Sequence, residues 1–252
     1  MKKNLQLITV ISVGLIFVLI GLLICFYPEI SNYVNQKNQS YAIKNYETYI
    51  AKSQEKDFSS EFELAQKYND ALFDLGNIRH AKVETLKGSD IFGKYNEILN
   101  VNKDGIIGVV EIPKINVELP VYHGTEGPEV TVAVGHMPHT SFPLGTPNSH
   151  VGIAGHTAMA NAKLFTDLDQ LKIDDKFYIK VLNKEFEYTI DDIRIVEPEE
   201  YDCLNIVEGK EYVTLITCTP TGINTHRLLV RGYRSNWYKK NRNFCFDSFF
   251  VL

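Results

Sequence analysis

The chain reads as mainly β, a closed barrel or sandwich carried behind an amino-terminal apolar helix, and three observations point there. From Gly105 onward, short β-type runs alternate with proline and glycine turn signals. Ahead of them, residues 31–76 are polar, rich in Asn, Gln, Lys and Glu, and carry apolar positions at helical spacing. Ahead of those, the stretch from Leu7 to Tyr27 holds no charge. The 252 residues are 44% hydrophobic and 23% charged, which leaves room for one good core. The boundaries follow: an anchor over 1–30, a helical stalk or docking segment with a linker over 31–104, one β domain over 105–235, and a basic, apolar tail over 236–252.

About twenty apolar residues span a bilayer, and Leu7 to Tyr27 meets that length. The stretch is longer than the apolar core of a signal peptide, and no small-x-small cleavage site follows it. Phe26 and Tyr27 suit a membrane interface. Lys2 and Lys3 precede the span and Glu29 is the first charge after it, so the expected orientation has the amino end inside and the rest outside.

In the stalk, Ser60-x-x-Glu63 fits a capping box. Ala65, Tyr68, Leu72 and Leu75 then form one apolar face, and Gly76 suits the helix end. That face fits either a solvated stalk or a helix docked on the β domain. Residues 77–103 read as an irregular linker containing Gly88, Ser89, Asp90 and Gly93. Strands are expected at 106–112, 119–122, 132–134, 150–154, 176–182, 186–196, 212–217 and 228–232. One helix is expected among them at 162–171, with Leu164, Leu168 and Leu171 on a face. In the tail, Lys239, Lys240 and Arg242 precede an apolar run from Phe244 to Leu252 that is too short to span a bilayer.

Composition excludes several functions. A net charge of −5 leaves no basic footprint for nucleic acid. Cys25, Cys203, Cys218 and Cys245 form no CxxC pair, so neither a zinc site nor a disulfide framework is expected. His136-Met-Pro-His139 sets two histidines three apart, but Pro138 breaks a helical ligand pair. No metal and no cofactor is expected. In an exported chain, scattered unpaired cysteines are not staples.

The chemistry gathers at Thr214-Leu-Ile-Thr-Cys-Thr-Pro220. The β-branched, apolar run is a buried strand, and Cys218 falls where it meets a turn. Arg227, nine residues on, sits on the next strand and can lie beside the thiol. A fixed cation favours thiolate, and thiolate is the nucleophile. The competing reading makes Cys218 a small buried hydrophobe. A thiol nucleophile needs a proton-transfer partner, and histidine suits working pH. His156 is best placed, in Gly155-His156-Thr157 at the end of the run Val151-Gly-Ile-Ala154. His123, His136 and His226 stay open as alternatives, because geometry decides the base; His80 lies on the polar linker. His156 precedes Cys218 by 62 residues. That order is the reverse of papain-like peptidases, and the caspase context Q-A-C-x-G is missing. No G-x-S-x-G elbow is found.

Together these residues resemble one family. Thr214-Leu-Ile-Thr-Cys218 matches the T-L-x-T-C motif of sortases, and Thr219-Pro220, Asn224-Thr-His-Arg-Leu-Leu-Val-Arg-Gly232 and Gly155-His156 accompany it. Glu111-Ile-Pro-Lys-Ile-Asn116, Leu119-Pro-Val-Tyr-His-Gly-Thr125, Val134-Gly-His136, Lys163-Leu-Phe-Thr-Asp-Leu168 and Val196-Glu-Pro198 extend the likeness from about Ile106 to Arg234. The chain resembles a class C, pilus-assembling sortase of Gram-positive bacteria. The resemblance implies an eight-stranded closed β-barrel and a membrane-anchored transpeptidase on the cell surface. It maps the nucleophile, the acid–base and the oxyanion cation onto Cys218, His156 and Arg227. It implies an LPxTG-type sorting signal as substrate, a thioacyl intermediate, and a pilin lysine as acceptor. A peptidoglycan amine would be the acceptor of a housekeeping sortase, and a non-catalytic anchored scaffold is the remaining alternative. Thr217 and His136 are candidate supports of the substrate site. The class usually carries a lid with an Asp-Pro-aromatic motif; here the nearest candidate is Asp90-Ile91-Phe92, with Asp90 and Phe92 as lid residues. The class also commonly has a second membrane span, which the tail is too short to supply.

Overall fold

The computed structural model describes residues 2–53, 57–76, 90–127, 129–159 and 162–234. The expected tail at 236–252, with Cys245, lies outside the described residues, as do Gly88, Ser89 and His80. Among the described residues, three helices precede the β domain: α1 (Lys2–Lys52), α2 (Ser59–Asp74) and the single turn α3 (Asp90–Gly93). Eight strands follow: β1 (Ile106–Ile112), β2 (Val117–His123), β3 (Val134–His136), β4 (Ser149–Gly155), β5 (Lys176–Val181), β6 (Lys184–Val196), β7 (Glu211–Thr219) and β8 (His226–Arg234). They close a barrel in the order β1-β2-β3-β4-β7-β8-β6-β5.

All eight expected strands form. The widest displacement is at β3: residues 129–131 take a 3₁₀ turn, and pairing begins only at Val134. Two of the barrel's pairings are parallel, β2 with β3 and β4 with β7, and the rest are antiparallel. Inward positions fill the lumen: Phe177, Ile179 and Val181 of β5 are buried while Lys176, Tyr178 and Lys180 face out, the period-2 pattern of a half-buried strand.

Two local expectations are corrected. Residues 162–171 do not form a helix. Leu164 takes a left-handed backbone (φ 40°), Phe165 N–H donates to the His156 carbonyl at 3.2 Å, and only Leu168–Gln170 makes a 3₁₀ turn. Leu164, Leu168 and Leu171 are nonetheless all buried, so the apolar spacing served packing across turns. The capping box at Ser60 is also absent. The helix starts at Ser59, two residues earlier than that box requires, where Asp57 accepts from the Ser59 N–H at 2.9 Å, and Glu63 pairs instead with Lys67. The hydrogen bonds from Ser59 hold the Asp57 carboxyl below the usual range.

Within 31–76, α1 and α2 dock on the barrel. α1 runs unbroken from the apolar stretch into its docked half, with Pro28 inside it. Ile43, Tyr46 and Ile50 are buried, and the Tyr46 hydroxyl donates to the Ile107 carbonyl (3.3 Å) while accepting from the Leu182 N–H (2.8 Å). On α2, Ala65, Tyr68 and Leu72 are buried as expected, whereas Leu75 stays exposed at the helix end. Gly76 supplies the left-handed residue (φ 64°) that closes α2. Asn69, also buried, donates to and accepts from the backbone of Phe142 at 2.9 and 2.7 Å.

Candidate active site

Strand register builds the site. β7 and β8 are antiparallel and set Cys218 directly across from Arg227. β4 runs parallel to β7, with Ala154 beside Ile216, so Gly155 and His156 continue next to Thr217 and Cys218. The Thr217 hydroxyl donates to the Gly155 carbonyl at 2.7 Å and ties the two strand ends together. A cleft of about 240 Å³ opens there, lined by Thr125, Val130, Ala154, Gly155, His156, Ile216, Thr217, Cys218 and Arg227. Cys218 is half-buried, His156 exposed and Arg227 half-buried. Arg227 Nη1 donates to the carbonyls of Asn224 (3.2 Å) and His226 (3.0 Å). Asn224 adopts a left-handed backbone, φ 64°, in the turn between β7 and β8.

Four of the other described histidines are committed elsewhere. His136 is fully buried and stacks on Phe142 with ring centroids 4.7 Å apart. Its Nδ1 meets the Tyr95 hydroxyl at 2.9 Å, and its Nε2 lies 2.9 Å from the Ser141 carbonyl and 3.2 Å from the Thr140 hydroxyl. His123 has its ring nitrogens on the Gly105 and Ile98 carbonyls, and burial holds the ring's pKa below the usual range. His150 is buried and bridges the Asn205 carbonyl of the β6–β7 connection and the Thr214 hydroxyl of β7. His226 contacts Thr225 and Glu197 on the outside. Among the described histidines, His156 is the one that lines the cleft with Cys218.

The structure therefore brings together Cys218, His156, Arg227 and Thr217. It sets His136 in a polar network of the core, away from the residues that line the cleft. Asp90 and Phe92 lie on α3, where Asp90 is exposed and the Phe92 ring packs edge-on against Tyr68 of α2 at 5.1 Å. Neither lines the cleft. Two cleft residues from the β2–β3 connection, Thr125 and Val130, were not singled out from the sequence as site residues. The only sequence signal was the Gly124-Thr125 pair closing β2, a turn motif without distinctive chemistry.

Comparisons with known proteins agree with this architecture. The sortase domain family matches residues 110–235. Sortase C1 from Streptococcus agalactiae is 38% identical, with a TM-score of 0.71, over 78% of this chain and 98% of that one. Clostridium perfringens sortase C, solved with the C-terminal cell wall sorting motif, is 38% identical, with a TM-score of 0.65, over 78% of this chain and 99% of that one. Sortase A of Listeria monocytogenes is 26% identical over 223 residues, 88% of this chain and 89% of the relative. A match to the sortase domain family through its β domain and 38% identity to a solved sortase over 78% of its length make this chain a member of the sortase family of cysteine transpeptidases.

Proposed function

We propose that this protein is a class C sortase that polymerises pilins on the outer face of the membrane, with residues 7–27 as its span and its amino end in the cytoplasm. The observation that carries the reading is the pairing of Cys218 with Arg227 across β7 and β8, in one cleft with His156. The Cys218 thiolate attacks the threonine carbonyl carbon of an LPxTG-type signal. Negative charge builds on the carbonyl oxygen, and Arg227 offsets it. Nη1 is held by two backbone carbonyls, so Nε and Nη2 are the donors that meet substrate. As the Thr–Gly bond breaks, His156 gives a proton to the departing glycine amine, leaving a thioacyl enzyme. The incoming amine then attacks the thioester, His156 takes its proton, and the Cys218 thiolate is released. Water in place of the amine gives hydrolysis. Likeness to several sortase C structures, one of them holding a sorting motif, supports the class and the substrate.

The test uses the full chain in detergent with an LPxTG peptide. An acyl adduct on the intact protein mass is expected for wild type and is expected to vanish in Cys218→Ala. An equal result for both proteins overturns the catalytic reading. Offering a pilin-lysine peptide against a peptidoglycan stem-peptide amine decides the acceptor. Turnover of the stem amine alone assigns a housekeeping role.

A further inference from the structure

Helix α1 presents two chemistries at one height. Ile30, Tyr33 and Val34 are exposed at 56%, 68% and 48%, and continue the outward apolar surface of the span by two more turns. At 3.6 residues per turn, Asn32, Asn35 and Gln39 fall half a turn around the helix from them. That second face is covered: Asn32 and Asn35 are half-buried and Gln39 is buried. Gln39 Nε2 donates to the Val132 carbonyl at 2.5 Å, in the connection between β2 and β3.

A tyrosine among exposed apolar side chains just beyond a span belongs at the lipid interface. On the same face the exposed Lys37 follows, so the lipid-facing stripe ends at Val34, and the exposed Tyr41 stands beyond it between Lys37 and Lys44. From Val34 to Gln39 the helix rises only about 7.5 Å. One polar headgroup layer is about 5–8 Å deep. The β2–β3 connection is thus pinned at the outer edge of the headgroups. The opposite end of the docked face points away: Tyr46, about 10 Å further along the helix, holds Leu182 at the β5–β6 turn. Thr125 and Val130, which line the Cys218 cleft, belong to the membrane-side connection.

We propose that the barrel stands on the bilayer by its β2–β3 connection, residues 124–127 and 129–133, with the Cys218 cleft opening at the level of the lipid headgroups. The partner at this surface is the headgroup layer itself. A peptide tethered in the same bilayer reaches the cleft from the membrane plane, without climbing past the barrel. The inference rests on α1 crossing a membrane and not on the catalytic assignment.

Depth-dependent quenching tests it without reading activity. Trp237 is the chain's single tryptophan, and Trp237→Phe removes it. In that background, Glu126→Trp places a fluorophore on the exposed β2–β3 connection and Asn183→Trp places one on the exposed β5–β6 turn. The full chain is reconstituted in phosphatidylcholine vesicles with or without a lipid bearing a nitroxide on its headgroup. E126W is expected to lose most of its emission to the nitroxide lipid and N183W to keep it. Equal quenching at the two positions, or stronger quenching of N183W, overturns the proposal. A second pair, Glu129→Trp and Glu185→Trp, both at exposed positions, repeats the reading should either first variant fail to fold.

Discussion

Arg227 is aimed by backbone rather than by a carboxylate. Its Nη1 is gripped by the Asn224 and His226 carbonyls, and Asn224 supplies its own from a left-handed conformation. Arg227→Ala is expected to lower kcat by roughly 10²–10³ with the melting temperature unchanged, in line with losing one oxyanion donor. Asn224→Val puts a β-branched residue where φ is positive, which costs about 1–2 kcal/mol. It is expected to lower kcat without raising KM, and Asn224→Gly to restore it; steady-state kinetics on an LPxTG peptide read both. At this scale the pairing of Cys218 with Arg227 was legible, because adjacent strands of an antiparallel pair place residues nine apart across from each other. The base was not. Gly135-His136 and Gly155-His156 are the same dipeptide at the ends of two strands, and sequence cannot say which ring turns into the core. The packing does: His136 stacks on Phe142 and meets Tyr95, while His156 stays exposed beside Cys218.

Among the elements, α2 adds to its buried apolar face one side chain that imitates a strand partner. Asn69 pairs with both backbone groups of Phe142, and Asn69→Ala is expected to cost about 1–3 kcal/mol for each buried group left unpaired. A thermal melt in detergent checks this. α3 yields a discriminating outcome for the lid. Phe92 packs on Tyr68, so Phe92→Ala is expected to leave the rate of Cys218 alkylation unchanged; faster labelling would show that the ring shields the thiol. The strands were readable to within a few residues because apolar runs ended at turn formers. The missing helix at 162–171 was not, since leucines three and four apart satisfy a chain of tight turns equally well once each finds a pocket. The docking of 31–76 was beyond the sequence too: an apolar stripe specifies a buried face but not what buries it.

For the whole molecule, closure of the barrel encloses charge as well as hydrocarbon. Near one end of the barrel, Glu211 accepts from the Tyr188 hydroxyl at 2.7 Å and from Arg234 at 3.2 Å. Burial pushes the Glu211 carboxyl above the usual range, although both partners pull it back. A raised folded pKa means that Glu211 favours the fold when protonated, and this contribution is lost as pH rises through the folded value. Removing the cation strands a buried carboxylate. Arg234→Met is therefore expected to cost about 3–5 kcal/mol at neutral pH. The deficit is expected to shrink as pH falls below Glu211's raised pKa, and chemical denaturation at two pH values measures it. The strand order itself was illegible, because parallel pairing leaves no local mark in a chain. That pairing has a consequence in time. Ser149 meets Glu211 and Ala154 meets Ile216 across 62 residues of chain, whereas β7 and β8 join through a short turn. Contacts this far apart in sequence form late, since loop closure must be met before pairing rewards it. Cys218 and Arg227 can assemble as a hairpin while His156 is still elsewhere. In that order of assembly Arg227 stands beside Cys218 before His156 arrives, so the three-residue cleft proposed above is complete only once the barrel has closed.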